Sequence, residues 1–150
     1  MTECDLSEVT RRAIEPYHAV ALSANKRLSA SVDDGVHCRG DAAAIAQAIC
    51  LLLDNAMRYA REESVVEVSV RTQEHTCRID VSNACDELPK GDLDVLFERF
   101  YRSDGSRARE TGGSGIGLSV VHAVAEAHHG KALCTTDGVD TITFSLILRR

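Results

Sequence analysis

Residues 41–60, DAAAIAQAICLLLDNAMRYA, decide how this chain folds. Ile45, Ile49, Leu52, Leu53 and Ala56 recur at i, i+4, i+7, i+8 and i+11, which lays one apolar stripe along a helix ending near Ala60. Asp41 stands where a carboxylate can accept the first unpaired amides and cap that helix. The same spacing turns Asp54, Asn55 and Arg58 away from the stripe.

Downstream, Val66, Val68 and Val70 alternate with polar residues, and after the polar stretch TQEH the alternation resumes at Cys77, Ile79 and Val81. A period of two on both sides of a turn predicts a β-hairpin. Asn83 continues the inward parity of Ile79 and Val81, so an amide is aimed at the buried side where the second strand ends, and it needs a partner there. DLDVLFERFY predicts a short helix, SDGSRARETGGSG a loop without apolar anchors, and LSVVHAVAEAHH a helix that stops at Gly130. KALCTT and TITFSLIL predict strands, the second with Ile142, Phe144, Leu146 and Leu148 on one face. Upstream, residues 6–24 have helical composition interrupted by Pro16, and VDDGVHCRGD alternates around Val36 and Cys38. The element order implies an α+β sandwich, a sheet with helices on one face.

The bulk properties fit 150 residues forming one ordinary domain, 44% hydrophobic and 27% charged. A formal charge of −6, three Tyr, three Phe and no Trp argue against a nucleic-acid surface. The six cysteines form no C-x-x-C pair and read as reduced core residues. No apolar stretch approaches the roughly 20 residues needed to span a bilayer, so no membrane contact is expected of this segment.

Three features carry chemistry. GGSGIGLSVV (112–121) spaces Gly113, Gly115 and Gly117 by one residue and runs straight into a helix. Such glycines admit a phosphate close to the backbone, and unpaired amides at a helix start favour an anion; a ligand-free loop fits equally well. In LLLDNAMRYA, the Asn55 amide oxygen is a hard ligand suited to Mg²⁺, and Arg58 reaches the same phosphate; a plain solvated face is the alternative. In LFERFYRSDGSRARETGG, Phe97 and Phe100 pin a short helix to the core, while Arg102, Arg107 and Arg109 on a loop suit a polyphosphate.

In that order, LLLDNAMRYA, LFERFYR and GGSGIGLSVV resemble the asparagine box, phenylalanine box and second glycine box of sensor histidine kinases, part of the ATPase superfamily shared with gyrase, Hsp90 and MutL. The similarity runs from about Leu6 to Leu148. It implies a two-layer α/β sandwich of the Bergerat type, a mixed sheet with helices on one face, holding ATP between the asparagine-box helix and a lid at Ser103 to Gly113. By the same resemblance, Asn55 holds Mg²⁺, Arg58 replaces the usual Lys at the phosphates and Tyr59 borders the nucleotide. Arg102 and Arg107 match phosphate-contacting lid positions, Gly113, Gly115 and Gly117 wrap the polyphosphate, and Leu118 completes the nucleotide-binding set. The implied activity is phosphoryl transfer to a histidine on an adjoining dimerisation domain, then to a response regulator. The domain is expected to be inactive without its phosphoacceptor domain, and to be the cytoplasmic part of a parent protein anchored in the bacterial membrane.

The chain departs from the family pattern at several positions. Asn83 occupies the aspartate position that receives the adenine amino group, and Cys85 and Glu87 replace the two glycines of the first glycine box. An Asn oxygen still accepts that hydrogen bond. Leu51 replaces the first Asn of the asparagine box, where hydrolytic relatives carry a water-activating glutamate, and Leu51 cannot act as a base. His129 replaces a glycine of the H-G-G turn. None of the six histidines sits in a phosphoacceptor box. Leu51, Cys85 and Glu87 keep open the alternative of a degenerate domain serving as a regulatory protein-interaction module, and a serine kinase of the anti-sigma type, with the same nucleotide fold and a protein serine substrate, is a further alternative.

Overall fold

The computed structural model describes residues 1–98 and 116–150. In chain order they form β1 (Thr2–Asp5), α1 (Leu6–Ile14), α2 (Tyr17–Ser23), β2 (Arg27–Val32), β3 (His37–Gly40), α3 (Ala42–Tyr59), β4 (Val65–Gln73), β5 (Thr76–Ala84), a 3₁₀ turn (Leu93–Phe97), α4 (Gly117–Ala127), β6 (Lys131–Thr136) and β7 (Thr141–Arg149). The main sheet has the order β2-β4-β5-β7-β6, with β2 parallel to β4 and every other pair antiparallel. A separate antiparallel ribbon joins β1 to β3. Helices α1, α3 and α4 pack on one face of the mixed sheet, giving the expected α+β sandwich. No helix among the described residues is long and apolar enough to cross a membrane.

The core follows the two periods read from the sequence. Ile45, Ile49, Leu52, Leu53 and Ala56 are all buried along α3. Against them the sheet presents apolar rows that run straight across it: Val68, Val81, Phe144 and Cys134 are register partners, as are Val70, Ile79, Leu146 and Ala132. Phe97 is buried and meets Phe144 edge-on, ring centroids 6.0 Å apart, which fixes the 3₁₀ turn to the core. Phe100 lies outside the described residues.

Two strands escape the sequence pattern. β2, RLSASV, half-buries only Leu28 and Val32, because an edge strand with one neighbour needs no continuous apolar run. β1 is four residues long, too short for a periodic signal, and sets Cys4 opposite Cys38.

The uncovered sheet face holds a polar cluster. Asp80, only 8% exposed, accepts from Arg78 Nε (2.9 Å), from Arg71 (3.1 Å) and from the Ser145 hydroxyl. Burial opposes its charge, yet the Ser145 and arginine hydrogen bonds outweigh that and hold the carboxyl below the usual aspartate range.

The end of α4 corrects one expectation. Gly130 N donates to Ala125 O (2.8 Å) and His129 N to Glu126 O (3.0 Å), a Schellman closure whose left-handed residue is His129, φ 57°, not Gly130. Gly130 is needed for another reason: a Cβ there would lie 1.9 Å from the Ile147 carbonyl oxygen.

His129→Gly removes the left-handed strain and should raise the melting temperature by about 2–4 °C, equivalent to roughly 1 kcal/mol. Gly130→Ala should lower it sharply; thermal circular dichroism reads both. Asp80→Asn should be less stable than the parent at neutral pH. Because the native carboxyl titrates below its unfolded value, near 4, that gap is full above about pH 5 and closes as the pH falls through and beneath it, a trend that urea midpoints at neutral and acid pH would measure.

Candidate functional site

The side of α3 opposite the apolar stripe carries Asp54, Asn55, Arg58 and Tyr59. Asp54 is engaged by α2: the Tyr17 hydroxyl bonds to Asp54 Oδ1 (2.7 Å), with Cys50 O also in reach at 3.2 Å. Burial and this carboxylate raise the Tyr17 pKa, so the phenol stays a donor. Asn55 is half-buried, while Arg58 and Tyr59 are exposed. The helix end beneath them is held by Lys26, 8% exposed, whose ammonium donates to Met57 O at 2.6 Å. A cation there complements the negative end of the helix dipole. Burial lowers the Lys26 pKa.

Helix α4 lies antiparallel to α3, fixed at both ends. At one end His128, 3% exposed, accepts the Asp41 amide on Nε2 (3.0 Å) and bonds Val124 O through Nδ1 (2.8 Å), the arrangement of a neutral imidazole protonated on Nδ1. Gly40 makes room for it, since a Cβ there would meet the His128 ring at 2.5 Å. At the other end a Cβ on Gly117 would lie 3.5 Å from Leu51 Cδ2. The ten residue steps from Asp41, the cap of α3, to Leu51 and the ten steps of α4 from Gly117 to Ala127 both span about 15 Å at 1.5 Å per residue, so the two contacts agree in register. The start of α4 therefore points toward the space beside Asn55, one turn beyond Leu51. Ile116 supplies no side-chain cap to its first amides. Leu118 is half-buried against the core.

At the end of β5, Asn83 is 2% exposed on the helix side of the sheet, as its parity predicts. Its Nδ2 donates to Ala84 O (3.2 Å), which also accepts the Arg61 amide (2.8 Å). Cys85 is buried, its amide donating to Asp140 O (2.8 Å), and burial raises its thiol pKa. The structure thus sets Gly117, with Leu118 next to it in the chain, against Leu51, one turn before Asn55, and sets Asn83 on the sheet beneath the helices. Arg102, Arg107, Gly113 and Gly115 lie outside the described residues. Arg61, His128 and Lys26 were not singled out by sequence reasoning as site-building residues; each acts through backbone groups distant in sequence, and no local pattern marks such contacts.

Among the described residues no group of three or more His, Cys, Asp or Glu side chains could hold a metal. A cation beside Asn55 would have to share its ligands with a bound phosphate, as Mg²⁺ commonly does. Two surface hollows lie elsewhere, one at Glu74, His75, Arg149 and Arg150, the other over Asp80 on the uncovered face.

The family described as "Histidine kinase-, DNA gyrase B-, and HSP90-like ATPase" matches residues 40–150. The probable sensor kinase SilS of Salmonella typhimurium is 42% identical over 106 residues, covering 69% of this chain and 21% of that protein. The sensor-like histidine kinase SenX3 of Mycobacterium tuberculosis is 30% identical over 148 residues, covering 99% of this chain and 36% of that protein. The chain thus spans only a minor part of the curated relatives it matches. Among solved structures, the nucleotide-free catalytic domain of histidine kinase ThkA superposes with a TM-score of 0.83 at 20% identity, covering 99% of this chain and 94% of that one, which shows a shared fold.

Lys26→Met should leave the Met57 carbonyl without its donor, cost about 1–3 kcal/mol in urea unfolding, and speed amide exchange at Ala60, the residue that caps the end of α3.

Proposed function

The chain belongs to the family of histidine kinase-, DNA gyrase B- and HSP90-like ATPases, on its sensor histidine kinase side, and on that footing we propose that it binds Mg·ATP between α3 and the start of α4. In this reading the γ-phosphoryl group passes to a histidine on an adjoining dimerisation domain, for relay to a response regulator. Residues 1–150 act as one catalytic domain, on the cytoplasmic side of a longer membrane-anchored sensor. The observation that supports the reading is the antiparallel seam, which sets Gly117, at the start of α4, against Leu51, one turn before Asn55.

The donor set suits the ligand. A helix start with no capping side chain among the described residues favours an anion, and the half-buried Asn55 amide oxygen suits a hard cation. Asn55 contributes that oxygen, and Arg58 meets the phosphates from the next turn of α3. The backbone at Gly113, Gly115 and Gly117, with Leu118 behind it, wraps the polyphosphate, and Arg102 and Arg107 add charge from the lid. Tyr59 borders the nucleotide, and Asn83 accepts the adenine amino group. Mg²⁺, when bound, neutralises charge on the phosphoryl oxygens. The chain's own part is to position and to balance charge, which is most of what phosphoryl transfer asks of a protein. Leu51 offers no base to activate water, which favours transfer over hydrolysis.

Calorimetric titration of the chain with ATP should show binding that requires Mg²⁺. Asn55→Ala should weaken it by roughly tenfold, or about 1.4 kcal/mol, and remove most of the metal dependence. The absence of Mg²⁺-dependent binding at millimolar nucleotide would refute the proposal.

A further inference from the structure

Arg61, two residues beyond α3, ties three separated pieces of chain together beside Asn83. Its backbone amide donates to Ala84 O (2.8 Å). Its guanidinium donates to Cys85 O (2.9 Å), to Asp86 Oδ1 (3.1 Å) and to Asp140 Oδ2 (3.2 Å). Asp140 is a firm anchor, because the Asp137 carboxylate accepts the amides of Val139 (2.9 Å), Asp140 (3.1 Å) and Thr141 (3.0 Å) and closes that turn. The Cys85 amide adds a bond to Asp140 O (2.8 Å). The segment leaving β5 is therefore braced from α3 on one side and from the β6–β7 turn on the other.

This bracing bears on what Asn83 offers a ligand. A carboxamide has an acceptor end and a donor end, and half a turn about its last bond exchanges them. Ala84 O can only accept. It takes the Nδ2 hydrogen at 3.2 Å and so turns Oδ1 the other way. Held like this, Asn83 presents an acceptor, which matches a 6-amino group on a purine and opposes a 6-oxo group. Were Ala84 O to shift, the amide would be able to rotate and offer a donor instead. Cys85 and Glu87 stand where the resemblance places glycines, and the Arg61 guanidinium joins the Cys85–Asp140 backbone bond in holding the course of this segment.

We propose that Arg61 is a positioning residue for base selectivity. By clamping Cys85 and Asp86 to the Asp140 turn it keeps Ala84 O in place, holds Asn83 with its acceptor toward the base, and makes the site prefer 6-aminopurine over 6-oxopurine nucleotides. The inference rests on the nucleotide site proposed above.

The test is titration of the whole chain with Mg²⁺ and either ATP or ITP, as wild type, Arg61→Ala, Arg61→Lys and Asp140→Asn, with Asn83→Ala as the reference for lost base recognition. The wild type should prefer ATP by roughly tenfold or more, and Arg61→Ala should cut that ratio at least about threefold. Arg61→Lys and Asp140→Asn should fall between, and they carry the comparison if Arg61→Ala does not fold. Simple destabilisation would weaken both nucleotides together and leave the ratio intact. A ratio unchanged in the clamp variants but lost in Asn83→Ala overturns the clamp and leaves the nucleotide site standing. A ratio that none of the substitutions moves overturns the clamp and the role of Asn83. No nucleotide binding by the wild type overturns the site reading and the clamp with it.

Discussion

The alignment of α3 with α4 depends on a hydrogen bond between a histidine ring and a backbone amide. His128 is buried where α4 ends, and its Nε2 takes the amide of Asp41 just before α3 begins. Asp41 simultaneously caps α3 through its carboxylate, at 3.0 and 3.2 Å from the amides of Ala43 and Ala44. One residue thus starts one helix and fixes the end of the other. The histidine contact does not tolerate a side chain at position 40, because the ring occupies the space a Cβ would need. With this end fixed and both helices rigid, the other end of the seam is determined: Gly117 meets Leu51, and the amides at the start of α4 face the polar turn of α3.

The parts of the fold legible in the sequence are those whose stability comes from a repeated face. The α3 stripe, the β4–β5 hairpin and β7 each bury one side of a regular element, and burial at a fixed period is visible in a single chain. β1 and β2 were missed because one is four residues long and the other half-buries only two. The helix stop was placed one residue late, at Gly130. Glycine is the usual left-handed residue, but here it is kept for its close approach to Ile147, while His129 takes the strained conformation.

The candidate site divides along the same line. Asn55 and Asn83 were legible because each has a definite phase on a helix or strand, and Asn83 proves buried as its parity required. Arg61, Lys26 and His128 have no such phase. Lys26 and His128 bind backbone atoms 31 and 87 residues away, and a partner defined by folding alone leaves no local trace. The same holds for Asp80, an acidic residue inside a strand that reads as solvent-facing until Arg71, Arg78 and Ser145 are seen around it.

Leu51 shows how packing and chemistry compete for one position. Hydrolytic members of the wider superfamily use this turn for a base, and a polar residue there must be solvated or paired. In this chain the position faces the first residue of α4, and Leu51 packs against the core while its δ-carbon borders Gly117. An apolar side chain closes the seam at the point where the α4 amides begin, and it offers no group that could activate water. What it gives up is a polar contact one turn before Asn55. In the proposed site the phosphate end would then rest on Asn55, Arg58 and backbone amides, groups that position a ligand and offer no general base. On the proposed reading, a seam so built would suit the presentation of a phosphoryl group to another acceptor better than its transfer to water.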